Sequence, residues 1–456
     1  MSEMLFKWVD NHKDQLISDL QTLLRQPSIA STNIGIEECA QLMMEMMISA
    51  GIETKLYKTE GAPILIGNVR GKDQKTILIY GHYDVQPPDP VELWDHDPFG
   101  AEIVGGAIYS RGAIDDKGNI MCAINAVRAY KENNQEFPVN AIFLIEGEEE
   151  ISSPSLPKFM WEHKELLKAN ALLGIDDAVQ PDGKIGRPKV VTGEKGNCCV
   201  ELICKINREF HSMYAPLIVN PVWRLVWALA SIKDKDEKIL IDNFYDTICE
   251  NSAEEHKIIE MMEEYWDGEE WLKESGQTEY LRGVTGAEAL KQLYFEPTCN
   301  IQGIKGGYIG EGRKTIIPEK ASVKIDFRMV PGQTSEQIVD LLRKHLDRKG
   351  FNDVEVEFTG GSRWFRSPVD HPAALALRKA VEKGFGVPPA IMVTFPGSGP
   401  GDTFEEILNI PQVFTGFGPL GERAHAPNEF ITIDFYIKGT KTIIQFFEEY
   451  ALISEN

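Results

Sequence analysis

The order of apolar and polar positions divides the chain into two kinds of territory. Over Thr76–Tyr80 (TILIY), Val139–Ile145 (VNAIFLI) and Ala171–Ile175 (ALLGI), apolar residues run with little alternation and end in polar turns. Strands of that kind are covered on both faces, as in a parallel sheet flanked by helices. Helical periodicity fills the gaps, at Asn119–Glu132 and Pro157–Lys168. The same alternation returns late in the chain, predicting a helix over Ala373–Phe385, a strand over Gln412–Gly416 and a helix over Ile433–Leu452. The opening residues, MSEMLFKWVDNHKDQLISDLQTLL, predict one amphipathic helix.

The middle reads differently. From about Gly193 to Ser362, strands expected at Cys199–Ile206, Ala321–Met329 and Val354–Phe358 are separated by helices expected at Pro221–Ser231 and Ser335–Arg348. The order β, α, β, α, β predicts a smaller α+β, ferredoxin-like sandwich of residues 193–362, inserted into an α/β domain of residues 1–192 and 363–456. That larger domain should hold a mixed, mostly parallel sheet covered by helices. The acidic stretch around Glu254–Glu270 reads as a solvated helix of the insert.

A chain of 456 residues is too long for one compact core, which agrees with two domains. Its formal net charge of −23 works against nucleic acid and anionic membrane as partners, because both are polyanions. The seven cysteines are odd in number, form no CxxC pair and mostly lie among apolar neighbours. That usage points to a reducing, cytoplasmic setting. The first residues lack the apolar centre of a signal peptide. No apolar run approaches the roughly 20 residues of a membrane span.

Three polar clusters stand directly behind apolar strands: Gly81-His82-Tyr83-Asp84, Glu148-Glu149-Glu150 and Asp176-Asp177. In open α/β sheets the carboxyl ends of strands are where ligand sites assemble. Singly, each has a plain structural reading: a core histidine, an acidic helix start, a turn. Arg111–Gly118 alone is a turn opening the next helix. Together they offer imidazole and carboxylate donors without any Cys. That mixture suits Zn²⁺, with Mn²⁺ or Co²⁺ as alternatives. Asp84, two residues past His82 on an extended chain, can fix the imidazole tautomer.

Gly-His-Tyr-Asp-Val-Gln-Pro (81–87), Ser-Arg-Gly-Ala-Ile-Asp-Asp-Lys-Gly (110–118), Glu-Gly-Glu-Glu-Glu (146–150) and Ala-His-Ala-Pro-Asn-Glu (424–429) resemble the M20 metallopeptidase family, most closely its carnosinase-like dipeptidase branch. The resemblance implies two divalent metal ions per subunit. One would be held by His82, Asp115 and Asp176, the other by Asp115, Glu150 and His425, with Asp177 a lesser candidate than Asp176. It implies a cis peptide bond between Asp115 and Asp116, Glu149 as general base, and Asp84 as the partner of His82. It also makes the insert a lid and dimerisation domain, whose His211 reaches the active site of the other subunit of a homodimer. Arg328 is expected to grip a substrate carboxylate, with Thr315, Ser398 and Gly397 at substrate-contact positions. The activity implied is cleavage of dipeptides or short peptides with a free C-terminal carboxylate. An N-acyl-amino-acid deacylase and a non-catalytic binding protein are the alternatives on the same scaffold.

Overall fold

A computed structural model describes residues 2–176, 187–264, 266, 268–419 and 423–454. The large sheet has eight strands in the spatial order Glu53–Tyr57, Ile64–Val69, Asn140–Glu146, Thr76–His82, Ala171–Ile175, Gln412–Thr415, Lys189–Val191, Ala390–Met392. From Asn140–Glu146 to Gln412–Thr415 the four central strands run parallel. The first two strands pair antiparallel at one edge, and Lys189–Val191 runs antiparallel to Gln412–Thr415 near the other. The sheet is mixed and its centre is parallel, as the uninterrupted apolar runs require.

Successive side chains of a strand point to opposite faces. Ile77 and Ile79 therefore enter the core beneath helices Lys117–Glu132, Pro372–Phe385 and Ile433–Leu452. Leu78 and Tyr80 enter a second core on the other face, with Phe159, Met160 and Phe404. Leu78 is fully buried, and truncating such a residue to Ala costs about 2–5 kcal/mol. Ile258, Ile259 and Met262 of helix Ala253–Glu263, and Leu290, Tyr294 and Phe295 of helix Gly286–Phe295, join this second core. The acidic stretch is therefore not simply a solvated helix. Glu254, Glu260 and Glu263 face water and Glu255 is buried against Arg366, while an apolar face of the helix packs against the large sheet.

The small domain is an antiparallel sheet ordered Thr298–Gly306, Lys320–Met329, Gly196–Lys205, Glu355–Ser362. Helices Pro221–Ile232 and Ser335–Arg348 cover one face through Leu225, Ala228, Ile338 and Leu342. Chain order and sheet order together are ferredoxin-like. Thr298–Gly306 has no counterpart in the expected strands: it is an edge strand that leaves most of its residues exposed, so it lacks the apolar run that marks a buried strand. Two crossings join the small domain to the large one side by side, Gly193–Glu194 pairing antiparallel with Phe365–Arg366. The opening helix also differs from expectation, dividing into Ser2–Asn11 and Lys13–Leu24. His12 sits at the break, its ring stacked on Trp8 and its Nδ1 2.8 Å from the Trp8 carbonyl. Among the described residues, no helix is long and apolar enough to cross a membrane.

Candidate metal centre

His82 is the last residue of Thr76–His82, and Asp176 follows Ala171–Ile175 directly. Neighbouring parallel strands thus deliver both to one end of the sheet. The chain comes close to helix Lys117–Glu132 here. A Cβ on Gly81 would lie 2.2 Å from Ile120 Cδ1 and 2.6 Å from Asp116 Oδ2, so only glycine fits. Asp116 Oδ2 accepts the His82 backbone N–H at 3.2 Å. The Asp115–Asp116 peptide bond is cis.

Two donor groups result, His82–Asp115–Asp176 and Asp115–Glu150–His425, each with its donor atoms within 4.8 Å of one another. Asp115 belongs to both. Its Oδ1 lies 3.1 Å from His82 Nε2 and its Oδ2 2.7 Å from His425 Nε2. His82 Nε2 is 3.9 Å from Asp176 Oδ1, and His425 Nε2 is 3.1 Å from Glu150 Oε2. His82 Nδ1 faces Asp84, at 3.1 Å from its carbonyl and 3.3 Å from Oδ1. With the Nδ1 proton donated there, Nε2 offers its lone pair to the centre.

Burial works to lower the His82 pKa, but Asp115 and Asp84 hold it well above the usual imidazole range. Contacts with Asp115 and Glu150 push His425 up to about 10. Burial, reinforced by Asp176, Asp115 and Glu150, pushes Glu149 up to about 9. Neighbouring carboxylates raise all three groups, with burial the larger cause for Glu149, so the pocket has a strongly negative potential. A divalent cation fits such a pocket. Two buried atoms also fit it, since His82 Nε2 and Glu150 Oε1 lack a hydrogen-bond partner among the described residues. An orphaned buried acceptor is costly unless something binds it.

A cavity of about 240 Å³ opens over these groups, lined in part by Asp115, Glu149, Asp176, Glu194, Ser398 and His425. Of the expected substrate contacts, Ser398 lines this cavity and Gly397 adjoins it in sequence. Arg328 reaches across from the small domain and donates from Nη1 to Ser398 Oγ at 2.9 Å, while Ser398 donates to the Lys195 carbonyl at 2.6 Å. His211 and Thr315 are not among the residues lining the cavity. They meet each other at 3.3 Å on an exposed face of the small domain. Asp177, and the turn expected at Pro181-Asp182-Gly183, lie outside the described residues.

Sequence reasoning gives no role to three residues that the structure puts at this centre. Gln86 donates to Glu150 Oε2 at 2.7 Å. Glu194 lines the cavity and accepts the Gly399 N–H at 3.0 Å. Glu429 is fully buried and bonded to the loop that carries Asp115. Gln86 and Glu429 each lie in a motif that carries the resemblance, which is the signal the sequence offers for them. Glu194 has none.

Donors of this kind at the carboxyl end of a parallel sheet define an α/β protein equipped to hold a pair of cations. Residues 78–449 match the model of peptidase family M20/M25/M40, and the chain belongs to that family as a metallopeptidase. It is 29% identical to the human Beta-Ala-His dipeptidase over 98% of this chain and 92% of that one. It is 28% identical to a Cys-Gly metallodipeptidase of Saccharomyces cerevisiae over 99% of this chain and 98% of that one. The structure of an M20 family metallo-carboxypeptidase from Sulfolobus solfataricus superposes with a TM-score of 0.87 at 35% identity, covering 96% of this chain and 99% of that one.

Proposed function

We propose that this metallopeptidase cleaves the peptide bond of dipeptides or short peptides bearing a free C-terminal carboxylate. The observation that carries the reading is the pair of three-donor groups sharing Asp115 beside a cavity that Glu149 lines. The named dipeptidases and the metallo-carboxypeptidase among its relatives support the substrate class.

His82, Asp115 and Asp176 would hold one cation and Asp115, Glu150 and His425 the other, Zn²⁺ foremost, with Mn²⁺ or Co²⁺ able to substitute. When bound, such ions supply Lewis acidity and lower the pKa of water from about 15.7 toward 7. Asp84 fixes the tautomer of His82 and, through the N–H groups of Glu149 and Glu150, the turn that carries both acids. With the negative potential that raises Glu149 offset by the charge of bound cations, its carboxylate can take the proton of the attacking water and return it to the leaving amine. Arg328, steadied by Ser398, pairs with the substrate carboxylate and sets which bond lies over the centre.

His211 completes the site of a second subunit, donating to the developing oxyanion there. Leu217, Trp223, Trp227, Ile301 and Ile304 leave large apolar surfaces exposed on the small domain, which supports a homodimer through that domain. The setting in the cell is the cytoplasm, as the cysteine usage suggests.

The test is metal content of the native chain by mass spectrometry, with hydrolysis of unblocked dipeptides followed through chelation and metal restoration. About two equivalents per chain, with activity lost and then restored by Zn²⁺ or Mn²⁺, is the expected result. Hydrolysis that ignores chelation would overturn the mechanism. Preference for N-acetylated amino acids over unblocked dipeptides would overturn the substrate class.

A further inference from the structure

The two donor groups are not anchored alike. In the first, His82 and Asp176 stand at the ends of adjacent central strands and are held by the sheet itself. In the second, Asp115 and His425 both come from turns. His425 has a backbone φ of 61°, a left-handed conformation that a non-glycine residue keeps only where its surroundings enforce it.

Those two turns meet at Glu429. It lies four residues after His425 and follows the turn into strand Phe430–Thr432. Its carboxylate is completely buried and accepts four hydrogen bonds, all from the turn that leads to Asp115. Oε2 accepts Arg111 Nη1 at 2.7 Å and the Gly112 N–H at 3.1 Å. Oε1 accepts the N–H groups of Ile114 at 2.9 Å and Asp115 at 3.2 Å. The Glu429 carbonyl adds a fifth bond, from the Ser110 N–H at 3.1 Å. One side chain thus bridges positions more than 300 residues apart in sequence, and the turn bearing His425 is fastened to the turn bearing Asp115.

We propose that Glu429 is the positioning residue of the Asp115–Glu150–His425 group, holding two of its three donors in register, while the His82–Asp115–Asp176 group depends on it through one donor only. The proposal rests on the metal reading above and goes beyond it by making the two cation sites unequal in origin. Glu429 touches neither substrate nor cation; it acts through the backbone of Asp115 and the placing of its own turn. Replacing its carboxylate by an amide keeps the shape but sets an NH₂ group against N–H donors, so part of the clamp must open.

The test is calorimetric titration of the metal-free full chain with Zn²⁺ against a competing chelator, in wild type and Glu429→Gln. Wild type should show two sites. The variant should keep one site within about threefold and weaken by about 10–100-fold the site that His425→Ala also removes, the usual effect of losing a partner that orients a ligand. Equal weakening of both sites, or of neither, would overturn the proposal. A wild type that fails to take two cations would instead overturn the metal reading. Hydrogen exchange on metal-free wild type tests the clamp whether or not the variant folds. The Gly112, Ile114 and Asp115 amides should stay protected, and exchange as fast as an open loop would refute the clamp.

Discussion

Asp84 accepts the backbone N–H of Glu150 through Oδ2 at 3.1 Å, while its Oδ1 lies 3.3 Å from His82 Nδ1. One buried carboxylate therefore orients a donor from each of the two groups. Asp84→Asn turns one of these oxygens into an NH₂ that cannot accept. Metal affinity should fall about 10–100-fold, and the NH₂ set against a backbone N–H should also lower the thermal midpoint of the metal-free protein. Titration against a chelator measures the first and calorimetry the second. Unaltered metal binding would remove Asp84 from the centre.

Glu149 lines the cavity without belonging to either three-donor group. Glu149→Gln should retain about two equivalents of metal and lower kcat by about 10²–10⁴-fold. Metal analysis together with steady-state kinetics separates a lost base from a lost ligand. Loss of metal in step with activity would make Glu149 a ligand.

The Arg328 guanidinium reaches Ser398 at the cavity wall. A lysine keeps the charge but not the two-pronged geometry that matches a carboxylate. Arg328→Lys should raise KM for unblocked dipeptides about tenfold and leave kcat closer to wild type. Equal turnover of C-terminally amidated and free dipeptides by wild type would show that no carboxylate is read there.

Because His211 lies away from the cavity of its own chain, two inactive variants should repair each other. In the proposed homodimer, a random mixture of Glu149→Gln and His211→Ala chains after subunit exchange makes half the dimers mixed. Each mixed dimer holds one site with both groups intact, which gives about a quarter of wild-type activity. Activity that stays at the level of the separate variants would place the action of His211 within its own subunit.

Burial, with Asp84 adding to it, pushes the Glu146 carboxyl up from 4.5 to about 7. The folded chain therefore binds this proton more tightly than the unfolded chain does. Its contribution to stability is complete below about pH 4.5 and is lost as the pH rises through 7. Glu146→Gln removes the titration and keeps an oxygen for the Tyr80 and Ser153 hydroxyls. In metal-free protein the variant should gain on wild type between about pH 5 and pH 8 by roughly 1–3 kcal/mol. Denaturant unfolding at the two pH values measures this gain. A difference that does not move with pH would mean that Glu146 does not titrate in that window.

The architecture is legible where burial leaves a mark on composition. Ile77–Tyr80 and Ala171–Ile175 are apolar on both faces because both faces are covered, so their strands can be read directly. Thr298–Gly306 cannot, because an edge strand facing water needs no such run. The helix Ala253–Glu263 conceals its packing for a related reason. Its acids outnumber the Ile258, Ile259 and Met262 that anchor it. At the centre, His82, Asp115, Glu150 and His425 are nameable from motifs and Asp176 from its place behind an apolar strand, and the fold brings them together. What Glu429 and Gln86 do there is not legible. Their partners, Arg111 and Glu150, are far away in sequence, and only the folded chain places them at 2.7 Å.

Asp115 gives one oxygen to each donor group, and this couples the two halves of the centre. Whatever factor an ion in one half imposes on affinity in the other must be returned unchanged in the opposite direction. Two like charges drawn to a single carboxylate repel, but the first to arrive also orders the side chain the second needs. The balance of those two effects decides how the chain behaves when metal is scarce. If ordering dominates, scarce metal collects as filled pairs beside empty chains; if repulsion dominates, it spreads as singly loaded chains.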